Sequence, residues 1–207
     1  MNGPYAEEST NLIYQLLFCD QPELYRQKYL GDIQHPWSVL FAEEADAPAL
    51  TAIAEDKHQE SRVRMLACNR LRAAGLSVAP KQHLGTIIEV HLPEGLDTLA
   101  AFTDGGARYI NHSGKMTIVE GDRGPFAAEI AGVIKASQPI VAAIGPWNKE
   151  RLPPPPAGNI RMSFLVSDGL YFGEGPIDVM QQQAVAAPLI QAAMKLLLKV
   201  LEQATEN

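Results

Sequence analysis

Polar side chains that could do chemistry concentrate between His83 and Glu120, the stretch around which the rest of the chain is arranged. Glu89 and His91 share strand parity, so a regular strand would present both on one face. Tyr109 and Asn111 share parity in a later run of the same stretch. We therefore name Glu89, His91, Tyr109 and Asn111 as candidate binding residues of a sheet-face site, because such groups can bind a polar ligand or exchange protons.

Nucleophilic catalysis has little support in the sequence. There is no GxSxG motif, and Ser113 lies in a turn, where serine is favoured for local hydrogen bonding. A catalytic triad would have to combine Ser113 with His112 and either Asp104 or Asp122. Neighbouring residues of an extended strand point to opposite faces, so His112 and Ser113 are poorly placed to serve each other. The sequence predicts no catalytic residue and favours a protein that is not an enzyme.

Metal-binding patterns are also absent from the sequence. The five histidines show no HxH, HxxxH or HExxH spacing, and Cys19 and Cys68 form no CxxC pair. In a regular strand His83 would lie roughly 26 Å from His91, too far for both to bind one ion. We predict no metal site.

Two glycine-rich loops precede predicted helices, at residues 121–125 and 173–176. A helix N-terminus can bind an anion, but Asp122 and Glu174 oppose one there. Neither loop has the lysine of a P-loop or the spacing of a dinucleotide fingerprint. We predict turns and helix starts at these positions, and no cofactor.

Features typical of interaction surfaces are the best positive signal. Four consecutive prolines, Pro153–Pro156, impose polyproline II geometry close to Trp147, which gives a stiff surface of low conformational entropy. Residues 57–81 carry six of the 17 basic residues, among them Arg62 and Arg70. This basic face either pairs with the acidic first 50 residues or binds an acidic partner. Trp147, Arg62 and Arg70 complete the set of candidate binding residues.

Composition limits the partners. The net charge of -7 argues against a broad nucleic-acid surface, and the apolar share of 46% is enough for a buried core. The apolar segment 184–201 is interrupted by Pro188, Lys195 and Lys199, which excludes a simple membrane span. Two isolated cysteines and an acidic N-terminus without a signal-peptide pattern favour the reducing cytoplasm. We expect a soluble cytoplasmic protein that binds neither nucleic acid nor membrane.

Turn residues divide the second half of the chain into strands. Pro93–Gly95, Asp104–Gly106 and Ser113-Gly114 separate four runs of β-favouring residues, which predicts an antiparallel meander. A helix from Pro125 follows, and then a hairpin that turns at Asp168-Gly169. The final helical element, about residues 176–204, has an apolar face broad enough to cover a sheet or to form an oligomer interface.

Capping signals define the N-terminal helices. We predict a first helix from Ser9 or Thr10, a second from Asp20 to Gly31 and a short helical turn after Pro36. A third helix is capped by Asp46. A fourth runs from Glu60 to Gly75, which suits the left-handed position after a helix.

These elements predict an α+β fold. A helical part (residues 1–78) precedes a mainly antiparallel part (residues 79–207) in the order ββββ-α-ββ-α with a long C-terminal helix, and we expect one compact unit with helices on one face of the sheet. The sequence does not decide whether Ile140–Ile144 is helix or strand, or whether Pro188 kinks or splits the last helix.

The functional expectation is a non-enzymatic protein-interaction or accessory module that binds a protein partner or self-associates. The alternative is a small-molecule hydrolase or ligand sensor with a site near His91 and the Arg108–Lys115 hairpin. The sequence does not identify the activity, the ligand or partner, or the oligomeric state.

Overall fold

The computed structural model describes residues 3–26, 33–121 and 124–206. Within these ranges the chain forms the following helices and strands, in order: α1 (Glu8–Leu16), α2 (Pro22–Arg26), α3 (Trp37–Leu40), α4 (Ala47–Glu55), α5 (Ser61–Ala73), β1 (His83–Leu92), β2 (Gly95–Phe102), β3 (Ala107–Ile110), β4 (Met116–Val119), α6 (Ala127–Ala143), β5 (Asn159–Val166), β6 (Gly169–Pro176), α7 (Ile177–Met180) and α8 (Ala187–Glu206).

The six strands form one antiparallel sheet in the order β4-β3-β2-β1-β5-β6. The predicted meander supplies β1 to β4, and the predicted hairpin adds β5 and β6 beside β1. Gly105 and Gly114 occupy two of the meander turns with φ of 86° and 84°, a region that glycine enters without steric cost. The α+β class, the antiparallel sheet and the long C-terminal helix are confirmed.

Helices cover both faces of the sheet, so the prediction that they pack on one face is wrong. Ile87 and Ala100 point into a core built with α1 to α5, whereas Ile88 and Met162 point into a second core built with α6 and α8. The sequence shows the reason, because both parities of β1, β2 and β5 carry apolar residues. A strand that is apolar on both sides needs a helical layer on each side.

Local capping explains the start of α4 and the end of α5. Asp46 accepts a hydrogen bond from the backbone N–H of Ala49 (3.1 Å), as predicted for the start of α4. Gly75 has φ of 71° after α5, and the following N–H of Leu76 bonds back to the carbonyl of Leu71. The predicted turn after Pro36 is α3. The predicted helix end at Gly31 lies outside the described residues.

The structure of the last helices answers two questions that the sequence left open. α6 continues to Ala143 with Pro139 inside it, so residues 140–143 are helical. Pro188 lies in the first turn of α8, where its missing N–H costs no helical hydrogen bond. It therefore begins a helix separate from α7. Among the described residues, no helix combines the length and apolar character needed to span a bilayer.

Candidate functional site

The sheet separates the four candidate residues of the sheet-face site. Glu89 and His91 point toward the N-terminal helices, whereas Tyr109 belongs to the core under α8. The Tyr109 hydroxyl donates to Asp97 (2.8 Å). Asn111 organises the β3–β4 turn, where its side-chain oxygen accepts from the N–H groups of Ser113 and Lys115 (3.0 Å each). Glu89 and Tyr109 therefore cannot face one ligand.

The carboxyl group of Glu89 has no solvent exposure. Its Oε1 accepts a hydrogen bond of 2.5 Å from the hydroxyl of Tyr14 on α1, and its Oε2 has no hydrogen-bond partner among the described residues. Burial raises the pKa of Glu89, opposed by the Tyr14 hydrogen bond and by the charges of Arg161 and Arg151. Strand parity indicated the direction of this side chain, but nothing in the sequence indicated the helix that covers it.

Arg161 lies beside Glu89 in the sheet and joins it to the edge. The two residues are cross-strand neighbours, and Arg161 is in turn opposite Glu174. The guanidinium donates from Nε (2.7 Å) and Nη2 (2.5 Å) to the same Glu174 oxygen, and from Nη1 to the carbonyl of Pro153 (2.6 Å). At 5% exposure, such charge-assisted bonds hold Arg161 and the proline segment above it in one geometry.

Residues 147–158 form an arm that crosses the sheet from β6 to β1, which we call the proline arm. The N–H of Trp147 donates to the carbonyl of Leu170 (2.8 Å), and the N–H of Gly158 donates to the carbonyl of His91 (2.8 Å). His91 Nδ1 lies 2.7 Å from the carbonyl oxygen of Pro155. A carbonyl only accepts, so Nδ1 carries the proton. The His91 side chain thus holds the proline arm against β1.

A groove of about 950 Å³ lies between the proline arm and the helical layer. One wall is the end of α1 and the turn that follows it, with Gln15 and Asp20. The other wall is the arm from Trp147 to Pro154, and the β5–β6 turn closes one end with Asp168 and Leu170. Its charged side chains have both signs, so the groove does not select simple anions or cations.

The side chains that line the groove are held before anything binds. The Arg151 guanidinium lies 3.9 Å from the centre of the Phe18 ring and donates to Asp20 (2.6 Å) and to Gln15. The Trp147 ring packs edge-on against Phe172, with ring centres 5.1 Å apart. Trp147 is the one predicted binding residue that lines this groove.

Sequence reasoning missed Gln15, Arg151 and Leu152 as groove residues. The available signal was the segment 147–156, in which alternating charges and a leucine lead into four prolines. Nothing in the sequence indicated that Gln15 lines the groove, because its hydrogen-bond partner Arg151 is 136 residues away in the sequence.

The arginines of α5 form hydrogen bonds that stabilise the fold. Arg62 donates to Glu60 (3.0 Å), and Arg70 donates to the carbonyl of Ala42 (2.6 Å) next to α3. Arg72 donates to the carbonyl of Ser167 (2.6 Å) and so joins α5 to the β5–β6 turn. Hydrogen bonds between α5 and its neighbours thus account for much of this basic face.

The outer edge of β6 carries backbone groups that point away from the sheet. Trp147 forms an isolated antiparallel bridge with Leu170, so the N–H and C=O of Leu170 point outward. In an antiparallel strand this direction recurs at every second residue, which places the same groups of Phe172 and Glu174 on the outer edge. No described segment pairs with them through the backbone.

The other chemical candidates are dispersed. Ser113 donates to Asn111 (2.9 Å), His112 lies beside Asp97 (3.4 Å), and Asp104 accepts from the N–H of Ser61 (2.6 Å). Asp122 and the centre of the 121–125 loop lie outside the described residues. Burial raises the pKa of the Cys19 thiol to about 12, so it is not a thiolate at neutral pH.

Within the described part of the chain, no three His, Cys, Asp or Glu side chains are placed to hold a metal ion. Comparison with protein-family models, with curated proteins and with solved structures finds no significant match.

Proposed function

We propose that this chain is a non-catalytic protein-interaction module that binds an extended segment of a partner polypeptide in the groove beside the proline arm. The observation that carries this proposal is a groove of about 950 Å³, comparable in size to a ligand site, with one rigid wall. Extended peptides bind to such surfaces through backbone hydrogen bonds and side-chain pockets.

The rigidity of the arm supports this function. Hydrogen bonds hold it at Trp147, Pro153, Pro155 and Gly158, and the four prolines fix their own φ angles. A wall that is already ordered loses little conformational entropy when a peptide binds, so more of the contact energy remains as affinity.

The groove also offers suitable chemistry for a peptide. Trp147 and Leu152 supply apolar surface, and Leu152 is 38% exposed. The unpaired backbone groups of Phe172 and Glu174 lie on the edge that Trp147 already joins in strand fashion. We expect a segment with an apolar side chain against Trp147 and a backbone that continues along β6.

The compartment and assembly role belong to the same proposal. Cys19 and Cys68 are both free and buried, which supports a reducing cytoplasmic location. An accessory role, in which the chain holds a segment of a larger partner, fits a groove whose arginines, Arg72 and Arg151, are occupied with structural contacts.

A display library of random linear peptides, selected on the full chain, tests the proposal. We expect enriched peptides that share an apolar position and change the fluorescence of Trp147. Leu152→Glu should weaken them by roughly 10-fold or more, because it places a charge in the apolar part of the groove. The fluorescence change should disappear in Trp147→Phe, which leaves Trp37 as the remaining tryptophan.

Leu76→Glu is the matched control, because Leu76 is 37% exposed and lies outside the groove lining. It should leave peptide affinity unchanged. Selection that yields no binding peptide, or equal loss in the Leu76 and Leu152 variants, would refute binding in this groove.

A further inference from the structure

The outward face of α8 is apolar where a surface helix is normally polar. Met194, Leu198 and Leu201 are 50%, 53% and 43% exposed, and their spacing of four and three residues places them on one stripe. The buried face of the same helix is complete without them, since Leu189, Leu196 and Val200 already fill the core against the sheet. The stripe is thus surplus to the fold of one chain.

The stripe continues onto the sheet. Met194 and Leu197 border a small apolar pocket together with Val90 and Leu99. A contiguous apolar patch of this kind is typical of a protein–protein interface, whereas single exposed leucines are ordinary. It lies on the opposite side of the sheet from the groove of the proposed function and is independent of it.

We propose that α8 pairs with α8 of a second copy of this chain, antiparallel and about a two-fold axis near residues 198–199. A two-fold axis between antiparallel helices brings residues at equal distances on either side of the crossing point face to face. Each Leu201 then falls between Met194 and Leu198 of the other copy, so the six side chains interleave.

Charge complementarity selects this occupant and this direction. Lys195 and Glu202 flank the stripe on one side and lie 3.5 residues before and after the proposed crossing point. The two-fold axis therefore sets Lys195 of each copy opposite Glu202 of the other. In a parallel pair the two-fold axis runs along the helices, so the flanks that carry Lys195 and Glu202 lie on opposite sides of the interface and this ion pair cannot form.

Sedimentation velocity of the full chain across a micromolar concentration series tests the pairing. We expect reversible association to twice the monomer mass. Leu198→Glu should raise the dimer dissociation constant by at least about 30-fold, because a charge would be buried in an apolar interface. Ile118→Glu is the matched control, since Ile118 is 54% exposed on β4 and should leave the dimer intact.

A charge exchange tests the direction. Lys195→Glu and Glu202→Lys should each weaken the dimer, and the double variant should return to within about threefold of the wild type, since the pair is restored with reversed sign. A chain that stays monomeric throughout, a dimer that survives Leu198→Glu or dissociates with Ile118→Glu, or a double variant without rescue would each overturn the proposal. Circular dichroism of every variant confirms that the fold is kept.

Discussion

The hydrogen bond between Tyr14 and Glu89 joins the helical layer to the central strand, and Tyr14→Phe removes it alone. Tyr14 is 1% exposed, and its hydroxyl is the only described hydrogen-bond partner of the Glu89 carboxyl group. The phenylalanine ring fits the same space, so the change leaves packing intact and isolates the polar contact.

The cost should be about 2–3 kcal/mol in the free energy of unfolding at neutral pH. A hydrogen bond to a charged group contributes about 1.5–3 kcal/mol, and its loss leaves a buried carboxylate without a described donor. With a urea dependence of about 2 kcal/mol/M, the unfolding midpoint should fall by roughly 1 M.

The loss of stability caused by Tyr14→Phe should also depend on pH, and it should be smaller in acid. Burial raises the pKa of Glu89, so the stability that its protonation contributes is full below the unfolded pKa of about 4.3 and is lost as pH rises through the folded pKa. The Tyr14 bond lowers the pKa of Glu89, because it favours the ionised form. Tyr14→Phe should therefore cost less in acid, about 1 kcal/mol, than at neutral pH.

Urea unfolding followed by circular dichroism at both pH values measures these differences. Tyr109→Phe is the matched control, because its hydroxyl donates to Asp97, a carboxylate with 18% exposure that water can solvate. It should cost less than about 1 kcal/mol. Equal costs for the two tyrosine variants, or a Tyr14 cost that does not rise with pH, would refute this account of Glu89.

Two further predictions concern the sheet. Burial lowers the pKa of His83 to about 4. The stability that the neutral ring contributes is therefore present above about pH 6.5 and is lost as the pH falls toward 4. Proton NMR should show a neutral His83 ring at about pH 5.5, and titration of the ring near pH 6.5 would contradict this prediction. Arg161→Lys keeps the charge but loses the forked contacts to Glu174 and Pro153, so limited proteolysis should cut residues 147–158 faster at unchanged circular dichroism. Wild-type cleavage rates in that variant would show that Arg161 does not hold the arm.

The parts of the fold that the sequence predicts are those set by local chemistry. The turn glycines, the Asp46 cap and the Gly75 helix end act on neighbours a few residues away, and alternation fixed the inward face of β5. The second helical layer was missed because Glu89 and His91 are polar. Polar residues in a strand suggest exposure, yet here their partners are Tyr14, 75 residues away, and Pro155, 64 residues away.

The candidate site was also predicted only in part, because its residues come together from distant parts of the sequence. Trp147 and the prolines were visible as a stiff surface, but the groove exists only because the α1–α2 turn lies opposite. The sequence predicted a basic face on α5 that either pairs with acidic residues or binds an acidic partner. Its contacts to the carbonyls of Ala42 and Ser167 depend on tertiary packing, which charge patterns do not encode.

The position of β1 at the centre of the sheet has a consequence for synthesis. β2 is available as a partner as soon as it leaves the ribosome, but β5 follows β1 by about 75 residues. At translation rates of roughly 5–20 residues per second, one edge of β1 remains open for about 4–15 s. For that interval the open edge of a strand with Ile87 and Ile88 in its middle is an aggregation risk.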